Sequence, residues 1–286
     1  MVTMRGERTF SVVVNLILII VGIVSIFPIL YVVSMSLTPY GEVVKNGGFL
    51  IFPRQISFDA YIHLLKGNEL PRAMGVSVFL AVVGTAISLI LNLLGAFPLS
   101  RKDLQGRTFF LFLIVFTMMF GGGMIPTYLL VKSLGMMNTV WAMIIPGAVA
   151  TFNLLIMKTF FEGLPEELFE AARMDGAGEL KVLVSLVIPL SLPSMLTVGL
   201  FYMVGYWNSF FAALYYITNP NLYPLQIVLR KMLMMSTSLE SLMEQTLPTP
   251  TLQMAAVILA SAPMLIIYPF IQKHFTKGML IGAIKG

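Results

Sequence analysis

Residues 10–37 read FSVVVNLILIIVGIVSIFPILYVVSMSL, an apolar run of about 28 residues without Asp, Glu, Lys or Arg. A helix needs about 20 apolar residues to cross the hydrocarbon core of a bilayer. Charged Arg5, Glu7 and Arg8 precede the run, as in a signal peptide. However, the run exceeds the roughly 7–15 residues of a signal h-region, and no small-x-small cleavage site follows. We therefore expect a retained first membrane helix.

Five more uncharged windows follow along the chain. They cover residues 74–98, 108–131, 140–157, 184–211 and 252–271. Their lengths, and the turn signals between them, favour helices over barrel strands of about ten residues with alternating polarity. The sequence predicts an all-α integral membrane protein with six transmembrane helices, the fifth of them tilted or broken.

The composition excludes several classes of protein and site. Of the 286 residues, 58% are hydrophobic and 11% are charged, whereas a soluble domain carries about 25% charged residues. The chain has no cysteine, which excludes disulfides, cysteine nucleophiles and thiolate metal sites. Its two histidines, His63 and His274, are far apart in the sequence. We therefore predict no metal site.

Lys and Arg predict the orientation in the membrane. With the N-terminus in the cytoplasm, the inside segments hold 11 of the 18 basic residues in about 58 residues, and the outside segments hold 7 in about 85. This bias predicts that both termini are cytoplasmic. It also explains the net charge of +5 as a topology signal, so no nucleic-acid partner is expected.

One cytoplasmic loop departs from this pattern because it is acidic. Residues 158–181 carry six of the 13 acidic residues, and acidic residues contribute little to orientation. Pro165 suits the first position of a helix, and Gly176 is placed to end that helix in the left-handed conformation. Membrane-surface helices are usually basic, so this pattern predicts a helix that contacts a cytoplasmic protein. One face of that helix, at i, i+3 and i+4 spacing, comprises Leu168, Ala171 and Ala172.

This loop resembles the EAA loop of bacterial ABC importer permeases. The residues that carry the resemblance are Glu170-Ala171-Ala172, Asp175-Gly176-Ala177 and Ile188-Pro189-Leu190-Ser191-Leu192-Pro193. The family pattern is EAA, three residues, Gly, nine residues, Ile, one residue, Leu-Pro. In this chain Leu186 stands at the position of the Ile and Ile188 at the position of the Leu, so both positions remain apolar.

Other segments resemble the carbohydrate, maltose-type branch of this family. They are Trp207-Asn208-Ser209-Phe210, Tyr223-Pro224-Leu225 and the tail at residues 277–286. Residues 121–178 look most similar to permeases for complex oligosaccharides. The resemblance implies a type I ABC importer permease fold with an N-terminal segment and first helix at 1–37, an extracytoplasmic loop at 38–73, a core permease domain at 74–273 and a cytoplasmic tail at 274–286. It places the EAA loop at 160–183.

In this family the EAA loop is a coupling helix that docks on a separate ATPase subunit. Carried onto this chain, the resemblance implies that the ATPase-coupling residues are Glu170, Ala171, Ala172, Arg173, Asp175 and Gly176. The sequence contains no G-x-x-x-x-G-K-[ST] motif. ATP and Mg²⁺ are therefore expected on the partner ATPase, and we expect neither a cofactor nor a catalytic residue in this chain. We interpret Gly121-Gly122-Gly123 as a turn or a site of close helix packing, because the lysine of a phosphate-binding loop is missing.

The resemblance also implies the other partners: a second permease subunit in a probable heterodimer, two ATPase subunits, an extracytoplasmic solute-binding protein and a carbohydrate. The loop that reaches the binding protein corresponds to residues 231–250. A sugar path needs aromatic faces and amide or hydroxyl groups. The candidates inside the predicted spans are Asn92, Thr117, Asn153, Tyr202, Tyr206, Trp207 and Asn208. Each could instead serve helix packing or the membrane interface.

Three other functions stay open. An ABC permease for a non-sugar solute would carry the same EAA loop. A proton- or sodium-coupled carrier is disfavoured, because proton relays usually need intramembrane carboxylates or histidines and no predicted span has either. An intramembrane enzyme is disfavoured because both histidines fall outside the spans. The prediction is a permease subunit of an ATP-driven importer in the bacterial plasma membrane that moves a carbohydrate, most simply an oligosaccharide, by alternating access.

Overall fold

The structure is a computed structural model that describes residues 5–48, 50–235 and 249–283. Every regular element in this part of the chain is helical. The helices are α1 (Arg5–Ser36), α2 (Tyr40–Lys45), α3 (Asp59–Lys66), α4 (Glu69–Phe79), α5 (Thr85–Ser100), α6 (Arg107–Met119), α7 (Met124–Ser133), α8 (Trp141–Ile144), α9 (Thr151–Glu162), α10 (Glu166–Met174), α11 (Glu179–Val182), α12 (Ile188–Leu190), α13 (Leu192–Trp207), α14 (Phe211–Tyr216), α15 (Leu225–Met235) and α16 (Pro250–Ala283). Single π-helical turns at Leu80–Gly84 and Leu183–Val187 join α4 to α5 and α11 to α12.

The membrane-spanning segments agree with the six predicted windows. Three helical segments are long and apolar enough to cross a bilayer: Phe10–Ser36, Glu69–Ser100 and Pro250–Ile267. Three bent helix pairs raise the number to six when each pair counts as one span. These pairs lie within Arg107–Ser133, Trp141–Glu162 and Glu179–Trp207.

The third, fourth and fifth spans are broken, the fourth by a bend of 52° between Gly147 and Thr151. The axes of α6 and α7 differ by 112° across residues 120–123, and Gly123 has a φ of +82°. A Cβ atom at Gly121, Gly122 or Gly123 would meet nothing within 4 Å, so these glycines form a turn and not a close helix contact. The fifth span bends by 84° at Ser191, so of the two forms predicted for it, tilted or broken, the structure has the broken one.

The chain divides into two compact units. The first contains residues up to Pro71 together with Leu229–Ala262, and its small core consists of Met35, Val43 and Leu50 with Tyr31 and Met254 packed against them. Helix α3 lies in this unit, within the predicted extracytoplasmic loop at residues 38–73. The side chain of Gln253, near the start of α16, donates a 2.9 Å hydrogen bond to the carbonyl of Met232. This bond links α16 to the 229–235 segment.

The second unit contains residues 72–228 and 263–286 and holds the main core. Within that core, Leu80, Ile144, Met157 and Val198 are completely buried. Helix α5 packs along α9 and α13 in this unit. By contrast, α6 has no buried residue. Leu111 and Ile114 are partly buried against this core, whereas Phe109, Phe112 and Met119 are exposed and available to lipid or to a partner protein.

Candidate functional site

The acidic helix predicted in the cytoplasmic loop is α10. It begins at Glu166, one residue later than predicted, with Pro165 as its N-cap. At its other end, the amide of Ala177 donates to the carbonyl of Ala172 at 3.0 Å, and the amide of Gly176 donates to that of Arg173 at 2.9 Å. This pair of bonds is a Schellman motif. Gly176 has a φ of +72°, which confirms the left-handed stop predicted there.

The two sides of α10 have different environments. Phe169 is 3% exposed and belongs to the core of the second unit, and Ala172 packs against that core. On the other side Glu170 and Ala171 are exposed, and Met174 is 88% exposed. The helix is therefore anchored by Phe169 and Ala172, while Glu170 and Ala171 face outward.

The predicted ATPase-coupling residues form one continuous exposed segment. All are exposed except the half-buried Ala172: Glu170, Ala171, Ala172, Arg173, Asp175 and Gly176. Leu168, on the predicted small apolar face, is 37% exposed. An exposed segment that mixes carboxylates, small residues and a methionine can offer hydrogen-bond acceptors and apolar contact to a partner protein.

Sequence reasoning missed the residues that hold α10 in place. The Arg101 guanidinium carbon lies 4.1 Å from the centroid of the Phe169 ring, and an Arg101 nitrogen lies 3.6 Å from a Glu166 carboxylate oxygen. Asp103 lies 3.5 Å from Arg173. In the sequence Arg101 is one of the basic residues of the predicted cytoplasmic segments, and nothing near it in the sequence indicates a distant aromatic partner.

Three of the predicted substrate-path residues share one buried hydrogen-bond network. Asn92 is completely buried, and its side-chain amide donates to the Tyr202 hydroxyl at 2.7 Å. The Tyr202 hydroxyl also accepts the amide of Ala150 at 2.7 Å. The Tyr206 hydroxyl lies 2.8 Å from the Ser88 hydroxyl. In this conformation the network ties α5, α13 and the segment before α9 together.

The other substrate-path candidates differ in their burial and in their partners. Asn153 and Trp207 are buried, at 7% and 3% exposed. Thr117 is exposed, and its hydroxyl donates to the carbonyl of Ile114 at 2.6 Å. Asn208 is exposed and accepts a hydrogen bond from the Gln226 amide at 3.3 Å. The structure thus gives the seven candidates different surroundings, and their contact with a substrate stays a prediction.

Two further regions of interest lie partly outside the described residues. The segment predicted to reach the binding protein, 231–250, includes residues 236–248, which the structure does not describe. The predicted cytoplasmic tail, 274–286, is helical to Ala283, and residues 284–286 lie beyond the described part.

Comparison with known proteins supports the resemblance seen in the sequence. Residues 104–281 match the family described as binding-protein-dependent transport system inner membrane component. Protein LplC of Bacillus subtilis is 43% identical over 99% of this chain and 97% of its own length. The polygalacturonan/rhamnogalacturonan transport system permease protein YtcP of the same organism is 40% identical over 98% of this chain and 99% of its own length.

A solved structure is also similar. It is a chain from the crystal structure of a bacterial ABC transporter involved in the import of the acidic polysaccharide alginate, with a TM-score of 0.88, 32% identity, and coverage of 96% of this chain and 99% of that chain. These similarities favour a permease over the secondary carrier and the intramembrane enzyme. The chain therefore belongs to the family of binding-protein-dependent transport system inner membrane components, the permease subunits of ABC importers, and has the type I ABC importer permease fold.

Proposed function

We propose that this permease carries an oligosaccharide across the bacterial plasma membrane by alternating access. The observation that carries the substrate class is the similarity over nearly the whole chain to the polygalacturonan/rhamnogalacturonan permease. The resemblance to an alginate importer supports the same class. A permease for a non-sugar solute is the alternative, and a transport assay separates the two.

The chain works with partners. A binding protein is part of the family description. We assign to the complex a second, homologous permease subunit and two ATPase subunits that hold ATP and Mg²⁺. Helix α6 is a candidate contact surface for the second permease subunit, because Phe109, Phe112 and Met119 are 61%, 63% and 75% exposed. Apolar side chains at this exposure suit lipid or the second permease. The N- and C-termini are assigned to the cytoplasm on the distribution of Lys and Arg.

Helix α10 is assigned to coupling. Its exposed Glu170 would accept charge-assisted hydrogen bonds from the ATPase, while Ala171 would permit close contact. The buried Phe169 would transmit the displacement of α10 to the core of the second unit. A core packed at native density moves as a body and not as a fluid, so a shift of α10 would move the spans packed around Phe169.

We assign the substrate-path candidates to two groups, according to whether their polar groups are exposed or buried. Thr117 and Asn208 are exposed and present hydroxyl and amide groups outside the core, as sugar hydroxyls require. Asn92, Tyr202 and Tyr206 would hold the spans at a fixed separation through their hydrogen bonds, and would reach sugar only if the network opened.

Transport in proteoliposomes tests this function. The full complex, with its ATPase and substrate-loaded binding protein, should accumulate short galacturonate or alginate oligosaccharides only when ATP is present inside. Glu170→Ala should assemble normally but lower uptake per ATP hydrolysed. Glu167→Ala is the matched control, because it removes an exposed carboxylate from the same helix outside the EAA motif.

Two results would contradict the proposal. If the wild-type complex takes up an amino acid or a phosphate and no oligosaccharide, the substrate class is wrong. If Glu170→Ala and Glu167→Ala transport as well as the wild type, the coupling role of Glu170 is wrong while the substrate class stands.

A further inference from the structure

The loop at residues 101–103 contacts both ends of α10. Arg101 lies 3.6 Å from Glu166 in the first turn of the helix. Asp103 lies 3.5 Å from Arg173 in the last turn. Arg173 is in turn 3.7 Å from Glu179 at the start of α11. A single short loop therefore connects the two ends of the acidic helix to the next element of the chain.

Arg101 is the buried member of this set. Its side chain is 11% exposed, whereas those of Asp103 and Glu166 are 68% and 61% exposed. Exposed ion pairs contribute little to stability in water. A guanidinium stacked on a buried ring is partly desolvated, so it interacts with that ring more strongly than at an exposed site. The Arg101–Phe169 contact should therefore be the strongest link between the loop and α10.

The backbone of Arg101 is fixed to the second span. Its amide donates to the carbonyl of Pro98 at 3.1 Å, at the end of α5. Arg107 donates from Nε to the carbonyl of Leu99 at 2.9 Å, which ties the far side of the loop to the same helix end. A displacement of the Arg101 side chain therefore displaces the end of α5.

A pocket of about 570 Å³ lies where the end of α5 meets the EAA loop. Its wall includes Leu94 and Phe97 of α5, Arg101 and Asp103 of the loop, Arg173 of α10 and Leu183. A pocket has no packed atoms to transmit a displacement, so α10 is connected to the end of α5 through the side chains around it. Arg101, which lines the pocket and stacks on Phe169, makes one such connection. The core that contains both Phe169 and Phe97 makes another.

We propose that Arg101 is a positioning residue for coupling, a link through which movement of α10 reaches the end of the second transmembrane span. This inference rests on the proposed coupling role of α10. The link joins the helix that meets the ATPase to the span that carries Asn92 and the buried hydrogen-bond network. The planar guanidinium is needed, because it stacks on Phe169 and pairs with Glu166 at the same time.

Substitutions of Arg101 in the complete transporter test the proposal. Arg101→Ala should still co-purify with the ATPase. In proteoliposomes it should lower oligosaccharide uptake by about tenfold, the order expected for loss of a partly desolvated cation–π contact and its ion pair. ATP hydrolysis should also lose most of its stimulation by loaded binding protein, a change that a merely structural defect would not produce in an assembled complex.

Two further variants and one control variant complete the test. Arg101→Lys keeps the charge without the planar group and should show an intermediate loss of uptake. Phe169→Leu keeps an apolar side chain in the core and removes the ring, so it should assemble and lose uptake in the same direction. Lys102→Ala is the matched control, because Lys102 is an exposed basic residue in the same loop, and it should transport normally.

The outcomes separate this proposal from the proposed function. If the wild type transports and Arg101→Ala transports equally well with normal stimulation, the positioning role is wrong and the function stands. If Arg101→Ala fails to assemble, Arg101→Lys and Phe169→Leu decide: normal transport by both overturns the proposal, and uncoupled hydrolysis in both supports it. If the wild type does not transport oligosaccharide, the proposed substrate class fails first.

Discussion

Gly84→Ala should destabilise the permease, although alanine normally favours a helix over glycine. Gly84 has an ordinary helical φ of −59°, so backbone strain plays no part. A Cβ atom at this position would lie 2.8 Å from two ring carbons of Tyr206. Tyr206 is 6% exposed, and its hydroxyl donates to the carbonyl of Ile144 at 3.2 Å and lies 2.8 Å from that of Ser88. The ring therefore cannot move away without breaking these bonds.

The magnitude follows from three contributions. Replacing glycine by alanine inside a helix stabilises by roughly 0.5–1 kcal/mol. Overpacking a dense core costs about 1–3 kcal/mol, and a buried hydrogen-bonding group left without its partner costs about 1–3 kcal/mol. The expected net loss is about 1–5 kcal/mol. At the middle of this range, about 3 kcal/mol, and at about 2–4 °C per kcal/mol for a large domain, the melting temperature should fall by roughly 6–12 °C.

Thermal unfolding of the purified complex in mild detergent measures this effect. Gly205→Ala is the matched control: it lies in α13 beside Tyr206, and its Cβ would meet nothing within 4 Å. Tyr206→Leu removes the ring, so its effect should be smaller in the Gly84→Ala background than in the wild type. If Gly84→Ala melts at the same temperature as Gly205→Ala, the contact that we infer between the second and fifth spans is wrong.

Three smaller substitutions follow the same reasoning. Asn92→Ala should destabilise by about 2 kcal/mol, because it removes two buried hydrogen bonds of 2.7 Å; an unchanged melting temperature would contradict this. Gly176→Ala should weaken the end of α10 by about 1 kcal/mol and lower coupled uptake, because alanine disfavours a φ of +72°, whereas Gly178→Ala, at a φ of −71°, should transport normally. Ser77→Ala should lower the melting temperature, since Ser77 accepts the buried amide of Leu225 at 2.9 Å, and Ser77→Thr should retain most of that stability; equal losses in both variants would refute the role of the hydroxyl.

The parts of the fold that the sequence predicts are those set by local composition. The window at 10–37 needs only its length and lack of charge to indicate a membrane helix, and the structure has a helix over Arg5–Ser36. Gly176 predicts the end of α10 because the left-handed conformation favours glycine. The sequence predicts a tilted or broken fifth span, and the observed bend at Ser191 lies between Pro189 and Pro193.

The remaining features depend on contacts between distant residues. Phe169 is one apolar residue in an acidic helix, and the sequence does not show that Arg101, 68 residues earlier, stacks on it. The 112° bend of the third span follows from a glycine turn whose angle no local pattern specifies. Asn92 and Tyr202 were predicted to face a sugar because they are polar residues within a span, whereas in this conformation they bond to each other. Polarity alone does not distinguish a substrate contact from a helix contact.

Tagged purification of the permease from its native membrane, followed by mass spectrometry of the proteins that co-purify, tests the central claim most directly. We expect a second six-span permease, an ATPase with a Walker motif and a binding protein that binds oligosaccharides. A chain that purifies alone, in detergent mild enough to retain such complexes, would contradict the assignment of this protein to an ATP-driven importer.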